Sequence, residues 1–482
     1  MIPISGFAPD LDSTADGVLT DCSMMIPTPA GYRAAPSAMA SGIQALASEC
    51  RGIAVTRNVS NTKKIFAGTQ TALYQQAGSA WTDVSRAGGY TGGAETRWRF
   101  AQFGDMTLAV NQTEELQASS SGAFANVSGA PKARLIETAC GFVMLAGTNE
   151  GTYGDSADRW WCSALYDHTS WTPSISTQAT TGRLVDSPGD IRAMRRLGND
   201  IVAYKERSIS IGRYVGAPAV WAWTQIPGEI GAASAEAVVN IGSAHIFVGL
   251  EDIYLFDGSR PQPIGQAVKQ WFFRRVNPSY RHRIIGAHDR ARSLVRFYYP
   301  STVSTSGAID SCLVYHYPTG KWGREDRAIE AAVEYTAAGV SFDSLGTSYS
   351  TWNSLPEIAY DSPFWTSESL SPAVVDASHV LVQLTGAAGE ASLTTGDMGD
   401  ADGFATVTRV TPKFLQAPTS ATLANSYRNV LGEALVTDQT VSLVNGRFDF
   451  IRSSRWHRVR MVTQGDMEIT AINPQYVMAG EF

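Results

Sequence analysis

A short strand cassette recurs along the first two-thirds of the chain. Gly104–Gln117, Gly198–Ile211 and Gly242–Phe256 each begin at a glycine-containing turn, run through apolar or small residues, cross a short polar turn and enter a second β-prone run. Looser copies occupy Asn61–Leu73 and Cys140–Gly147. A longer hairpin, Ser293–Tyr299 with Cys312–Tyr317, is closed by Pro318–Trp322. Val, Ile, Phe and Tyr fill the runs, and Gly, Asn and Asp punctuate them, the composition of strands joined by tight turns. The copies recur at intervals of about 35 to 60 residues, which brackets the spacing of small sheets repeated as units.

The hydrophobic pattern says how such units must pack. Ile201–Tyr204 and Ile246–Val248 are apolar at consecutive positions, so both faces of those strands need cover. Ser208–Ile211 alternates and asks for one buried face. Blades stacked face to face around an axis meet both demands and leave few exposed edges, which predicts an irregular β-propeller. A two-sheet sandwich is the alternative that the same strands allow. Ile264, Val268, Trp271 and Phe272 follow helical spacing directly after Pro263, so Ile264–Phe273 is expected to form a short helix between two blades.

The ends read differently. Residues 1–44 are rich in Pro, Ala, Ser and Gly and poor in strand signals, as in an extended arm lying across the body or a neighbour, or in a segment disordered in isolation. Residues 45–345 form the predicted propeller. From 346 to 482 the cassette stops, and Val380–Leu384, Thr406–Val410, Arg447–Phe450, Trp456–Val462 and Met467–Ile472 are expected to build a smaller C-terminal β-domain. There Val459 and Met461 share one face, Arg458 and Arg460 the other. The fold class is all-β.

Charge and cysteine usage narrow the function classes. Only 17% of residues are charged, against about a quarter in average domains, and 38 Lys and Arg stand against 45 Asp and Glu for a net charge of −7. An acidic chain disfavours tight nucleic-acid binding over its whole surface. No apolar run is long enough to span a bilayer, and the start Met1–Phe7 lacks a signal-peptide pattern, so folding in a cytosol, a bacterial one included, is expected. Cys22, Cys50, Cys140, Cys162 and Cys312 are odd in number and far apart, which reads as small buried hydrophobes rather than disulfides or a zinc site.

Standard catalytic signatures are missing: there is no GxSxG, HExxH, GxxxxGK[ST] or GxGxxG segment and no sialidase-type box. Glu251-Asp252 sits where the cassette turns, and Gly320-Lys321-Trp322 reads as a hairpin turn. Asp397–Gly403 has carboxylates spaced as in a calcium loop, but Met398 and Arg409 occupy positions where an EF-hand needs acids, so a plain turn is expected. Two basic clusters are interleaved with aromatics. One is Lys269, Arg274, Arg275, Arg281, His282 and Arg283 among Trp271, Phe272, Phe273 and Tyr280; the other is Arg452, Arg455, Arg458 and Arg460 near Trp456. Such clusters suit subunit contact, a solvated face or nucleic-acid contact. His245, within an apolar run, is expected to be a core or hydrogen-bonded residue. The expectation is a non-enzyme with no catalytic, cofactor or metal residues.

The order of parts resembles a known family. An extended N-terminus leads into irregular blades, one ending in Tyr254–Gly258. The short helix Ile264–Phe273 follows, then the hairpin Val314–Trp322, and near the C-terminus the run Arg455–Arg460. Together these resemble the tail hub, nozzle and packaged-DNA-stabilisation proteins of short-tailed bacteriophages, over most of the chain as a pattern. The resemblance implies a homo-oligomeric ring, generally a hexamer, below a portal and its adaptor ring. It also implies contacts with tail fibres or spikes and with a plug or needle protein, and passage of genomic DNA through the channel without specific binding. It places the protein in the virion tail, made in the bacterial host cytoplasm and needing no cofactor or small-molecule substrate. A carbohydrate-binding or glycan-cleaving propeller acting in receptor recognition is the rival.

Overall fold

The computed structural model describes residues 1–336, 351, 370–401 and 403–481. Each close copy of the cassette forms the second and third strands of a four-stranded antiparallel unit. Met106–Val110 with Gln117–Ser119, Asp200–Tyr204 with Ile209–Gly216, and His245–Val248 with Ile253–Phe256 are the three closest copies. The glycines that open two of them have a structural reason. Gly104 and Gly198 adopt φ of +57° and +60°, which lets a tight turn return the first strand onto the second: Phe103 pairs with Met106, and Leu197 with Asp200.

The chain is a β-propeller. Six four-stranded sheets are separate blades, and a seventh four-stranded unit, which continues into a larger sheet, completes the circle. In ring order the first strands are Ile53–Arg57, Arg99–Phe103, Lys132–Ala139, Ala193–Leu197, Val238–Asn240, Ile285–Asp289 and Ile329–Thr336. Each packs against the next, and the last packs against the first. Blades 1 to 7 below follow this order. The ring is closed by the N-terminal segment, since Ser37–Ala40 supplies the outer strand of blade 7, with Met39 opposite Gln383.

The doubly apolar runs are second strands rather than the strands at the axis. Leu108, Ala109 and Val110, like Ile201 and Val202, are fully buried because blades cover both of their faces, at about 1.5–3 kcal/mol for each large aliphatic side chain. The axial strand Arg99–Phe103 is only half-buried. The alternation at Ser208–Ile211 does not mark an exposed face: Ser208 and Ser210 are buried as well, and the Ser208 hydroxyl lies 2.6 Å from that of Ser187.

Between blades 5 and 6 the predicted helix is present but displaced toward the C-terminus, as an α-helix at Lys269–Arg275 followed by a 3-10 helix at Pro278–Arg283. Its start is capped from far away: the Asp10 carboxylate accepts hydrogen bonds from the Gln270 and Trp271 amides.

Beyond the ring lies a sandwich of two sheets. Blade 6 ends in Lys321–Glu325, and its sheet continues through Met25–Pro27, Tyr32–Ala34, Glu468–Glu481 and Gly403–Gln416 to Phe448–Ser454, a ten-stranded sheet in all. The opposing sheet joins Gly6–Phe7, Val18–Ser23, Glu390–Thr395, Trp456–Gln464, Ser420–Arg428 and Val436–Ser442. Leu19, Leu393, Leu423 and Met461 from one sheet meet Val407, Val410, Phe448 and Ile469 from the other in one core. The turn Thr463–Asp466 therefore carries the chain from sheet to sheet. Val459 and Met461 are buried and Arg460 is exposed, as alternation predicts.

Two boundaries differ from the sequence reading. Leu370–Asp376 and Leu381–Gly386 belong to blade 7, so the sandwich strands of the C-terminal region begin at Glu390 rather than near 346. Residues 1–44 do lie extended across the body, but as strands of both sandwich sheets and of blade 7 rather than as an arm without pairing of its own. Their strand signals are weak because each is short and borrows its partner from elsewhere. Tyr32 shows how firmly they are held: its buried hydroxyl accepts from the Phe7 amide at 2.7 Å and donates to the Trp322 carbonyl at 2.5 Å.

Candidate functional site

Propellers present their chemistry at the axis and its mouths, where loops from many blades meet. In this ring the axis is spanned by an ion pair. Arg97, just ahead of the first strand of blade 2, reaches Glu236, just ahead of blade 5, with its Nε 2.7 Å from one carboxylate oxygen and an Nη 3.3 Å from the other. The same Nη also donates to the Glu330 carbonyl of blade 7 at 3.2 Å. Arg99 approaches Glu236 at 3.7 Å and donates to the Arg134 carbonyl of blade 3. Both Arg97 and Glu236 are about a fifth exposed. Burial pushes the Arg99 guanidinium down to about 10; Glu236 opposes this, while Arg97, Arg195 and Arg134 add to it. The cluster ties four blades together.

Next to it a cavity of about 320 Å³ opens where the first strands begin, lined in part by Glu49, Glu95, Arg97, Arg283, Glu330 and His379. Its carboxylates are engaged. Glu330 takes the Cys50 amide at 2.7 Å and lies 2.7 Å from His379 Nδ1, and burial raises its carboxyl despite these partners. Glu95 accepts from Arg283 Nε at 3.0 Å and is 2.9 Å from His282. Glu49 meets Arg51 at 3.1 Å. On the opposite end of the ring a hollow of about 530 Å³ lies between blades 2, 3 and 4, where Phe103 and His168 rings stand 6.1 Å apart beside the exposed Tyr166.

The residues singled out by sequence fall into several places. Asp252 binds the Ile253 and Gly265 amides and pairs with Lys269, while Glu251 faces Arg207 of blade 4 at 3.7 Å, so this acidic turn ties blade 5 to the following segment through Asp252 and to blade 4 through Glu251. Gly320, at φ +70°, forms the turn between His316 and Lys321. His245 is buried between the Tyr204 hydroxyl and the Arg196 carbonyl. Four cysteines are buried, but Cys140 sits half-exposed in a turn at φ +50°, unlike the expected core residue.

In the first basic cluster, Arg275 lies over Trp271 at 4.5 Å, Arg281 over Phe273 at 5.5 Å, and Arg283 pairs with Glu95. In the second, Arg452 forks onto Asp438 at 2.6 and 2.8 Å, Arg455 covers Phe404 and Arg458 pairs with Asp397. Asp397 thus serves guanidinium groups: its Oδ2 accepts from Arg428 at 2.6 Å and Arg458 at 2.8 Å, and from the Ser13 hydroxyl at 2.6 Å. Asp402 lies outside the described residues. Among the described residues no group of three or more His, Cys, Asp or Glu could hold a metal ion.

Sequence reasoning missed the axial set and a buried ion network in blade 6. There Arg296 lies between Asp289 at 2.8 Å and Glu325 at 3.0 Å, with Arg327 on Glu325 at 2.7 Å. Burial alone would raise Glu325, yet Arg296 and Arg327 bring it down to about 2. One signal was available for the axis: Arg97 and Arg99 alternate with Trp98 and Phe100, which puts both charges on one face of the strand leading to the centre.

Among the described residues no helix is long and apolar enough to cross a membrane. No protein-family model and no curated protein matches the chain. Among solved structures it is similar to one described as the extracellular domain of a one-component system from B. thetaiotaomicron, at 9% identity and a TM-score of 0.41. The match covers 87% of this chain and 48% of that one, so the chain spans about half the length of the neighbour.

Proposed function

We propose that this chain is a structural subunit of a short bacteriophage tail, one of a ring of copies below the portal and adaptor that continues the DNA channel and helps retain and then release the genome. The observation that carries this reading is the ten-stranded sheet running from blade 6 into the sandwich. It makes ring and sandwich one stiff block, as a load-transmitting subunit requires. Exposed apolar side chains on the sandwich, including Val430, Leu431, Val444 and Ile451, suit contacts with neighbouring subunits.

Arg97 and Glu236 pair across the axis of the propeller, and in this reading the channel lies between copies rather than through one of them. Net charge of −7 favours a passage from which phosphates are repelled. Imaging of the chain co-expressed with a portal-type complex tests the proposal: a closed ring of copies around an open channel is expected. A chain that stays monomeric in every portal preparation overturns it.

One observation favours a second reading. Tyr166, 78% exposed beside Phe103 and His168, is the kind of aromatic platform on which a sugar ring stacks. Glycan-array binding by the free chain that disappears in Tyr166→Ala would support receptor recognition instead.

A further inference from the structure

The hollow of about 530 Å³ between blades 2, 3 and 4 holds two residues in backbone conformations that their side chains resist. Cys140 and Tyr166 adopt φ of +50° and +58°, the left-handed region that suits glycine and is uncommon for a bulky residue. Cys140 and Gly141 form the two-residue turn between Lys132–Ala139 and Phe142–Glu150, where asparagine, aspartate or glycine is the usual first residue. The Tyr166 amide donates to the Gly141 carbonyl at 2.7 Å. Its ring lies so close to the turn that a Cβ on Gly141 would stand 2.7 Å from it, yet the residue is 78% exposed. The ring is therefore seated on the turn and displayed toward solvent. Strained backbone gathered at one hollow is a mark of binding sites, where it sets side chains for a ligand.

The charge of the hollow is as specific as its shape. No carboxylate lines it, and Arg196 supplies a fixed positive charge. The Arg196 main chain is anchored: its carbonyl accepts from Asn240 Nδ2 at 2.6 Å and from His245 Nε2 at 3.0 Å, and its amide donates to Glu137 at 3.3 Å. Its Nε donates to the Gly198 carbonyl at 2.6 Å. The side chain is exposed and, among the described residues, has no ion-pair partner, unlike Arg97, Arg452 and Arg458. Burial lowers the His168 imidazole below its ordinary value, against the pull of Asp167, so its ring is a neutral neighbour.

We propose that this hollow binds an acidic sugar residue of a glycan, its ring stacked on Tyr166 and its carboxylate held by the Arg196 guanidinium. The inference rests on the receptor-recognition reading above and names its ligand class. The volume lies within the range of ligand pockets, about 300–1,000 Å³. A guanidinium offers paired N–H donors that match the two oxygens of a carboxylate, and the match weakens when the acid is esterified. The aromatic ring supplies contact to any sugar, and Arg196 selects the charged one.

The test compares a galacturonic-acid trisaccharide with its methyl ester by calorimetric titration of the full chain, alongside a glycan array. The acid is expected to bind with a sub-millimolar dissociation constant and the ester at least ten-fold more weakly. This pair of ligands probes the charge without altering the protein. Arg196→Gln is expected to bring the acid down to the affinity of the ester, leaving the ester unchanged and the melting temperature within a few degrees. Tyr166→Ala is expected to abolish binding of both. Equal affinity for acid and ester, or unchanged acid binding in a folded Arg196→Gln protein, overturns the proposal and leaves receptor recognition standing. No binding of either trisaccharide overturns it too, and an array without any bound glycan overturns the receptor reading with it.

Discussion

Within blade 2, Phe103 pairs with Met106 across the turn Gly104-Asp105, whereas in the sandwich Ile2 pairs with Ile472 and Leu19 with Thr395. The ring is thus assembled mostly from hairpins whose partners are neighbours in the chain, and only its closing strand comes from far away. The sandwich is assembled from the two ends of the chain, with blade 6 joined to it through Arg324 opposite Met25. Bringing distant segments together costs more loop-closure entropy than closing a hairpin, so the ring has the smaller burden per strand. The difference teaches where stability is local and where it is shared.

The sharpest way to break the comparison is to remove residues 1–36. Glu390–Thr395 and Glu468–Glu481 then lose paired neighbours, and the shared core loses Phe7, Leu19, Cys22, Met25 and Tyr32. Hydrogen exchange is expected to accelerate by orders of magnitude throughout the sandwich while the second strands of blades 2 to 4 stay protected. Equal acceleration in both regions would mean that they fold as a single unit.

Next in size is Glu325→Gln, which leaves Arg296 and Arg327 short of a buried counter-charge at the junction of the two regions. A loss of about 3–5 kcal/mol in chemical denaturation is expected. The sign with pH follows from the depressed carboxyl. Its contribution is present above the unfolded value of about 4.3 and is lost as pH falls through about 2. The variant should therefore lack that part of the wild-type acid destabilisation.

Tyr32→Phe sharpens the comparison at one hydroxyl. It leaves the Phe7 amide and the Trp322 carbonyl without their common partner, for about 1–3 kcal/mol, with faster exchange expected first at Phe7. The smallest effect belongs to the ring. Gly104→Ala meets no atom within 4 Å, so only its φ of +57° resists a side chain. A cost of about 1–2 kcal/mol is expected, with changes in amide chemical shifts confined to blade 2.

The blades were legible because their pattern is local: a turn glycine, a doubly apolar run and a polar turn fall within one short window, as at Gly198–Ile211. The arm was not. Met25–Pro27 and Tyr32–Ala34 are too short to announce themselves, and their partners, Lys321–Glu325 and Glu468–Glu481, are far along the chain. The same holds for the sites. Asp252 and His245 could be read from their turn and strand context, but nothing near Arg97 in sequence points to Glu236. Asp397 looked like part of an acidic turn until Arg428 and Arg458 were brought against it.

Sequence alone determined the all-β character, the recurring strand pairs and the alternation that buries Val459 and Met461, since these depend on residue type at fixed short spacing. Tertiary structure decided which blade owns residues 370–386, which strand closes the ring, and which charges neutralise one another across the axis and beneath the sandwich. Those outcomes depend on contacts between residues far apart in the chain, and no local pattern encodes the partner of a strand or of a buried charge.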